Sequence, residues 1–399
     1  MTCGWILVLV CGTTLITVTM GLRQGFGLFL PPISEALGTG RELFALAIAI
    51  QNLVWGLASP FFGGLADRFG ARLVAAVGGL IYAAGLLVMG LSLTPEAIVF
   101  GQFLIGVGLG GAGFSVVLGA VGRAAPPEKR SFALGFVTAG GSLGQFAFVP
   151  VAAVLLNSFG VTQALLGLAL MATTMVAVAF GLRPATLEGA GPAPISQSLA
   201  EALNEALSHR GYVLLTVGFF VCGFQVVFIA THLPAFLADY GVGTSYAAWA
   251  LALVGLFNIF GSLLAGWLGG RFSKRNLLGF IYIGRSLVMI VFLLLPITGP
   301  TTLVFGAVMG LLWLGTVPLT SGLIVVFFGT RYLATLYGVV FLSHQVGSFL
   351  GAWLGGLVYD LRGAYDLMWW LTIASGFVAT ALHLMIREAP APRLAAAAE

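Results

Sequence analysis

Apolar segments long enough to span a membrane recur from Trp5 to Ile386, separated by clusters of charged residues, proline and glycine. A helix needs about 20 residues to cross the hydrocarbon core, whereas a strand of a membrane barrel needs only about 10. The segments therefore predict helices, and we expect an all-α membrane protein with twelve transmembrane helices. The predicted spans are residues 5–34, 43–65, 73–94, 97–121, 132–157, 161–182, 212–238, 245–268, 277–296, 302–327, 334–358 and 367–386.

A polar segment at 183–210 divides the predicted helices into two groups of six. Within it, leucines repeat at every fourth position, and Ser198 and Glu201 have the spacing of a capping box. We expect a short amphipathic helix here, lying along the membrane interface. The predicted units are an amino-terminal half of residues 1–182, a linker of residues 183–210, a carboxyl-terminal half of residues 211–388 and a tail of residues 389–399.

The distribution of basic residues predicts the orientation. Only 8% of the 399 residues are charged, against roughly 25% in soluble domains, and the mean hydropathy is +1.07. Thirteen of the 17 lysines and arginines fall in the loops and tail of one predicted side, whereas Arg41 and Arg362 lie on the other. This asymmetry predicts that the first side, with both termini, is cytoplasmic. The net charge of +4 is thus a topology signal, and no nucleic-acid partner is expected.

Neither the start of the chain nor its cysteines suggest processing or a metal site. No basic region or small-residue cleavage site accompanies the first apolar segment, so we expect no signal peptide. Cys3, Cys11 and Cys222 fit neither a disulfide framework nor a metal-ligand spacing, and we interpret them as packing residues.

The two halves contain an internal repeat with an offset of 203 residues. GGLADRFGAR at 63–72 aligns with GWLGGRFSKR at 266–275. Because one offset holds at three separate places, we expect two six-helix halves related by an axis along the membrane normal, with a central site between them. The other matched positions are Leu30-Pro31 with Leu233-Pro234, Gly135 with Gly338, and Gly144 with Gly347.

GGLADRFGAR resembles the loop 2–3 signature of the major facilitator superfamily, Gly-x-x-x-Asp-Arg/Lys-x-Gly-Arg/Lys-Arg/Lys, from which only Ala71 departs. The second copy is degraded, with Gly270 in the place of Asp67. The resemblance covers the whole chain and implies the major facilitator fold. It also implies that Asp67 accepts hydrogen bonds from a helix N-terminus and from basic residues, which latches the halves in one state. The residues assigned to this gating latch are Asp67, Arg68, Arg72, Arg271 and Arg275.

Three further segments resemble the bacterial monocarboxylate transporter branch of that superfamily: GFGLFLPPI, CGFQVVFIATHLPAF and YGVVFLSHQVGSFLGAWLGG. Members of this branch typically carry an Asp and an Arg one turn apart in helix 8. The matching stretch here, GLFNIFGS, has Asn258 and Ser262. The usual carboxylate-binding arginine is therefore missing from its usual place.

Arginines and histidines, but no acids, lie inside the predicted spans. A cavity with cationic groups and no carboxylate suits an anion, whose charge would offset the cost of burying a guanidinium. Arg23 and its neighbour Gln24 are candidates on the first helix, although Arg23 could instead reach the headgroups or backbone carbonyls. Arg285 is a candidate near mid-depth, although helix 9 is usually peripheral in the superfamily and this residue could instead pin neighbouring helices. The ionisable residues of the spans are Arg23, His232, Arg285, His344 and His383.

His344 and Gln345 fall near mid-membrane in the eleventh helix and are candidates for substrate binding. His232 and His344 are candidates for carrying a proton, because histidine titrates near neutral pH. The alternative for each is a neutral histidine that donates to a backbone carbonyl. Three neutral residues could line the path or merely bridge helices, namely Gln51, Gln145 and Asn258.

Other motifs are discarded. GVGLGG at 106–111 matches a nucleotide-binding pattern, but it lies in an apolar run without a preceding strand. We interpret its glycines, and those spaced likewise at 140–144 and 347–355, as close helix packing. No Walker motif, zinc spacing or Ser/His/Asp set is visible, so we expect no enzyme, no cofactor, and an ion gradient as the driving force.

The sequence thus predicts a secondary active transporter of small organic anions, most simply a proton-coupled monocarboxylate symporter that works by alternating access. It is expected to be a monomer in the bacterial inner membrane, with the anion, a proton and lipids as partners. A drug or metabolite efflux antiporter is the first alternative, although the helix containing Pro150 lacks the pattern Gly-Pro-x-x-Gly-Gly. A transport-inactive receptor is the second, although residues 387–399 are short for a signalling tail.

Overall fold

The computed structural model describes residues 3–39, 41–182, 197–391 and 393. Residues 183–196 of the predicted linker and most of the predicted tail lie outside these ranges. Within them the chain forms fifteen α-helices, one short 3-10 helix and no strand. The α-helices are α1 Cys3–Gln24, α2 Phe26–Leu37, α3 Arg41–Phe69, α4 Ala71–Leu91, α5 Pro95–Ala112, α6 Phe114–Ala124, α7 Arg130–Ala179, α8 Leu199–Ser208, α9 Arg210–Asp239, α10 Thr244–Gly269, α11 Lys274–Leu294, α12 Gly299–Leu312, α13 Thr316–Phe328, α14 Leu333–Arg362 and α15 Asp366–Leu384.

Among the described residues, eleven helical segments are long and apolar enough to cross a membrane. One of them, Pro127–Ala179, has 53 residues and is too long for a single crossing. It contains a break at Gly160, where φ is 79°, so it provides two successive spans. The prediction of an all-α membrane protein with twelve spans is therefore confirmed.

Each half has an interrupted span at the corresponding position of the repeat. The fourth span consists of α5 and α6, which are separated at Gly113, where the backbone is extended. The tenth consists of α12 and α13, which are separated between Trp313 and Gly315. Gly113 and Thr316, the first residue of α13, are 203 residues apart. Each break leaves backbone N–H and C=O groups without their helical partners inside the membrane, where other groups must satisfy them.

The internal repeat is visible in the helix packing. Gly144 of α7 lies against the carbonyl oxygen of Thr17 in α1, and Gly347 of α14 lies against that of Phe220 in α9. Thr17 lies 203 residues before Phe220, and Gly144 lies 203 residues before Gly347. No side chain fits at either glycine, which is why both halves have the same residue there.

The two halves meet along α3 with α14 and along α7 with α10. A Cβ atom placed on Gly63 would be 2.7 Å from the carbonyl oxygen of Ala334, and one on Gly266 would be 3.1 Å from that of Ser131. The same offset relates these two contacts. The loops before α4, α7, α11 and α14 lie on one side of the bundle, here called the basic face because of their lysines and arginines. The halves are closely packed there.

The short helix α8 begins with the predicted capping box. Ser198 Oγ accepts from the Glu201 backbone N–H at 3.2 Å, and Glu201 Oε2 accepts from the Ser198 N–H at 2.7 Å. Hydrogen bonding from Ser198 to the Glu201 carboxylate, chiefly from the Ser198 backbone N–H, lowers the pKa of that carboxyl. Ala202 and Ala206 are buried against the protein, whereas Leu207 is 59% exposed. The position of α8 on the membrane interface stays a prediction.

Candidate functional site

Arg23 lies in the last turn of α1 and contacts α3 across the amino-terminal half. Its Nη2 donates to Oδ1 of Asn52 at 2.6 Å, and its guanidinium carbon is 5.3 Å from the centre of the Trp55 ring. Its Nε is buried without a hydrogen-bond partner. The Asn52 amide is held in turn by the carbonyl oxygen of Ile48, at 2.9 Å. Arg23 therefore points into the protein, where only a neutral amide accepts from it among the described side chains.

Several polar groups without hydrogen-bond partners lie at about the same depth as Arg23 in the amino-terminal half. A buried polar group left unpaired costs about 1–3 kcal/mol, so such a cluster suits water or a polar solute. Gln51 was predicted from the sequence. The others were missed, since a single polar residue in an apolar span is more often a helix bridge. The unpaired groups are both amide atoms of Gln51, both of Gln102, the Trp55 Nε1 and the Tyr82 hydroxyl.

Contacts between backbones place these groups at similar depth. A Cβ on Gly106 would lie 2.6 Å from the Gln51 carbonyl oxygen, and one on Gly108 would lie 2.6 Å from the Tyr82 nitrogen. Gly106 and Gly108 belong to GVGLGG, so its interpretation as a packing motif is consistent with the structure.

Arg285 is bound entirely by protein groups. Its side chain is 1% exposed and reaches the end of α12 at the break in the tenth span. Nε donates to the carbonyl oxygen of Leu312 at 2.9 Å, and Nη2 donates to that of Trp313. Nη1 lies 3.4 Å from both Cys222 Sγ and Gln225 Oε1. The guanidinium thus caps the negative end of a helix dipole.

Asn258 holds the other side of the same break. Its Oδ1 accepts from the Leu314 N–H at 2.9 Å and from the Ser262 hydroxyl at 3.1 Å. The Nδ2 of Asn258 is buried without a partner. The two positions at which the sequence departs from the monocarboxylate branch are therefore bonded to each other. The contacts of Arg285 and Asn258 favour helix bridging, and their substrate role stays a prediction.

His344 and Gln345 lie on α14 where it meets the other half. The His344 ring stacks on Phe341, with centroids 5.1 Å apart, and its Nδ1 is 3.0 Å from Gln345 Oε1. A Cβ on Gly56 of α3 would be 2.6 Å from Gln345 Cβ. Ser348 Oγ donates to Gln345 Oε1 at 3.0 Å, while Gln345 Nε2 has no partner.

The other candidates are separated from one another. His232 Nε2 lies 2.7 Å from the carbonyl oxygen of Ala352, and His383 Nδ1 lies 2.7 Å from that of Ala379. Both arrangements match the alternative in which a histidine donates to a backbone carbonyl. Gln145 is buried on α7, and a Cβ placed on Gly255 of α10 would be 3.4 Å from the Cβ of Gln145. Gln24 is half-buried.

At the basic face, Asp67 joins the two halves. Its Oδ2 accepts from the backbone N–H of Thr335 at 2.9 Å and from the Thr335 hydroxyl at 2.7 Å, in the first turn of α14. Its Oδ1 pairs with Arg123. The predicted contact with a helix N-terminus is present, but the basic partner is a residue that was not predicted.

The four arginines grouped with Asp67 have other neighbours. Three of their guanidinium groups lie over aromatic rings, and the fourth donates to the backbone just after α15. These contacts are Arg68 over Phe69, Arg72 over Phe180, Arg271 over Trp267, and Arg275 Nη1 donating to the Ile386 carbonyl oxygen. Their part in gating stays a prediction.

Glu388 supplies the acid that the second copy of the motif lacks. It accepts from the Ser273 hydroxyl at 2.8 Å and from the Lys274 N–H at 3.2 Å, where α11 begins, and it pairs with the Lys274 ammonium. The following residues continue across the basic face, where the Ala391 N–H donates to the carbonyl oxygen of Phe327.

An all-helical membrane protein with two repeated halves, an interrupted span in each and polar groups at mid-depth has the architecture of a secondary transporter. The chain belongs to the Major Facilitator Superfamily, whose family model matches residues 9–352.

Similar proteins include transporters of this superfamily. A Bacillus subtilis protein described as the uncharacterized MFS-type transporter YcxA is 29% identical over 357 residues, which cover 87% of this chain and 86% of that protein. Monocarboxylate transporter 13 of Bos taurus is 25% identical, with 97% and 91% covered. The oxalate:formate antiporter of Oxalobacter formigenes is 23% identical, with 95% and 90% covered.

Proposed function

We propose that this protein is a secondary active transporter of small organic anions, most simply a proton-coupled monocarboxylate symporter. The observation that carries the proposal is the environment of Arg23. Its guanidinium is inside the protein, its Nε has no partner, and no carboxylate pairs with it among the described residues. A carboxylate substrate would supply the missing negative charge and accept two parallel hydrogen bonds.

Arg23 is the better candidate of the two arginines for this contact. Arg285 already donates to two carbonyl oxygens at the break in the tenth span. We propose that Arg285 and Asn258 fix that break, and that Gln24, Gln51 and the groups near Arg23 contact the substrate.

The similar proteins support an organic anion as the substrate class. Several are named monocarboxylate transporters, and one is named for oxalate and formate. All of these names refer to carboxylates. Because the identities lie between 22% and 29%, the particular anion and the mode of coupling are part of the proposal.

For the transport cycle, we propose alternating access with the basic face toward the cytoplasm of a bacterial cell. The structure is closed on that face by Asp67 and Thr335 and by the glycine contacts between halves. Opening would part α3 from α14 and α7 from α10. We propose His344 as a proton carrier, because it lies at the boundary between the halves, with His232 as the second candidate.

Uptake of labelled carboxylates into liposomes, with and without a pH gradient, tests this function. Arg23→Gln should abolish uptake, and Arg23→Lys, which keeps the charge but loses the planar fork, should retain part of it. Arg362→Gln is the matched control, because Arg362 is exposed at the end of α14 and should leave uptake unchanged. Normal carboxylate uptake by Arg23→Gln, or no carboxylate uptake by the wild type, would overturn the proposal.

A further inference from the structure

Arg285 is buried, and no carboxylate among the described residues pairs with it. Its hydrogen-bond partners are two backbone carbonyls, the amide of Gln225 and the thiol of Cys222. Of these four, only the thiol can become an anion. A guanidinium without a counter-ion is costly inside a membrane protein, and a neighbouring cation favours the thiolate form of a cysteine.

The Cys222 sulfur accepts from Arg285 Nη1 at 3.4 Å. It also lies 3.3 Å from Thr316 Oγ1, in a hydrogen bond that either atom can donate. Thr316 is the first residue of the 13-residue helix α13, so the sulfur also faces the positive end of a helix dipole. The hydroxyls of Tyr282 and Tyr337 are also buried without hydrogen-bond partners.

The titratable groups near Cys222 come from three of the helices around it. Arg285 and Tyr282 belong to α11, and Tyr337 and His344 belong to α14. His383 of α15 packs against Gly218, about one turn before Cys222. None of these groups is a carboxylate. A sulfur that accepts from a guanidinium, with no acid nearby among the described residues, is better matched by a thiolate than by a neutral thiol, which is only a weak acceptor.

The other half of the repeat provides an internal comparison. Thr19 corresponds to Cys222, and Tyr82 corresponds to Arg285, each with the offset of 203 residues. Thr19 is neutral and donates to the carbonyl oxygen of Ala112 at the end of α5. The amino-terminal half therefore has two hydroxyl groups at the positions where the carboxyl-terminal half has a thiol and a guanidinium. The thiol and the guanidinium thus occur as a pair in the same half.

We propose that Cys222 is a thiolate paired with Arg285, and that it binds and releases a proton during transport. The thiolate takes up one proton to become a thiol, and the positive charge of Arg285 is then met by the helix-end carbonyls alone. The ion pair is independent of the proposed function, whereas the proton-carrying role rests on it.

Infrared spectroscopy of the purified protein tests the ion pair without transport. In a Cys3→Ser/Cys11→Ser background, Cys222 is the sole thiol of the chain. We expect no S–H stretching band at neutral pH and a band that appears on acidification. Adding Arg285→Gln should restore the band at neutral pH. A full S–H band at neutral pH in the background protein would overturn the proposal.

Liposome transport tests the proton-carrying role. Cys222→Ser keeps a hydroxyl for Thr316 but cannot ionise, so stimulation of uptake by a pH gradient should be lost while exchange between equal concentrations continues. Cys11→Ser is the matched control and should keep the stimulation. Retained stimulation in Cys222→Ser would overturn this role. If the wild type moved no carboxylate, the proposed function would fail while the infrared result still decided the ion pair.

Discussion

The Asp67 carboxylate in the amino-terminal half accepts from both the backbone N–H and the hydroxyl of Thr335 in the carboxyl-terminal half. Hydrogen bonds to a charged group contribute about 1.5–3 kcal/mol each, and this pair acts only while the basic face is closed. We therefore expect the contact to bias the equilibrium between the two states of the proposed transport cycle.

Asp67→Asn should shift the protein toward the state that is open at the basic face. The amide keeps an acceptor oxygen but loses the charge that binds Arg123 and the N-terminus of α14. Spin labels on the exposed residues Glu128 and Arg331 would report the distance between halves on this face, and we expect it to lengthen.

Thr335→Val is the partner variant for Asp67→Asn. It removes the hydroxyl donor but keeps the backbone N–H, so its effect should have the same direction and a smaller size. An unchanged distance distribution in Asp67→Asn would contradict a latch at this contact.

Arg285→Gln and Arg23→Gln should differ in their effects on stability and uptake. Loss of the Arg285 guanidinium leaves helix-end carbonyls without donors, at about 1–3 kcal/mol for each unpaired group, so the melting temperature in detergent should fall by several degrees. Arg23→Gln removes an unpaired charge, so it should abolish uptake with little change in melting temperature. Equal losses of stability in both variants would show that the two arginines have the same structural role.

Gly144→Ala and Gly347→Ala should each destabilise the protein, because the added methyl group would overlap the carbonyl oxygen of Thr17 or Phe220. Overpacking typically costs about 1–3 kcal/mol. Gly27→Ala is the control, since no atom lies within 4 Å of a Cβ there. Thermal unfolding should rank both repeat variants below the wild type and Gly27→Ala level with it or above it. Wild-type stability in the first two would argue against the close contacts.

The N-terminus of α9 should loosen in acid. His209 Nδ1 accepts from the Tyr212 N–H at 3.2 Å, and burial against Phe327 and Phe328 lowers the pKa of His209. The folded pKa lies below the unfolded value of about 6.5, so the cap is fully present above that pH and is lost as pH falls through the folded pKa.

Hydrogen exchange of residues 209–213 would measure the loosening. His209→Asn should remove the pH dependence, because asparagine caps a helix without titrating in this range. Equal acid sensitivity in wild type and His209→Asn, compared at each pH, would exclude the histidine as its cause.

The spans could be predicted because the length of an apolar run can be read directly from the sequence and compared with the thickness of a bilayer. The repeat could be predicted because its matched motifs keep a constant offset. The breaks at Gly113 and after α12 could not, since the apolar runs continue through them without a proline or a charge at the break. The break in the tenth span depends on tertiary contacts, because Arg285 and Asn258, which lie far away in sequence, satisfy its exposed backbone groups.

The candidate site was predicted only in part, for a related reason. Arg23 stands out as a charge in an apolar helix, but its partner Asn52 lies on another span and is one of several amides. Thr335 and Arg123 are ordinary residues in sequence and become partners of Asp67 only through the packing of α14 and α6 against α3.

The position of Glu388 means that the two halves are not interchangeable modules. The amino-terminal half contains the acid of its own loop motif, whereas the loop at 266–275 receives one from beyond the last span. A circular permutant with new ends between the twelfth span and Glu388 would separate Glu388 from its half, and a fusion partner attached directly after Ala391 would crowd the loop. Engineered versions of this transporter would have to keep residues 386–391 continuous with the twelfth span.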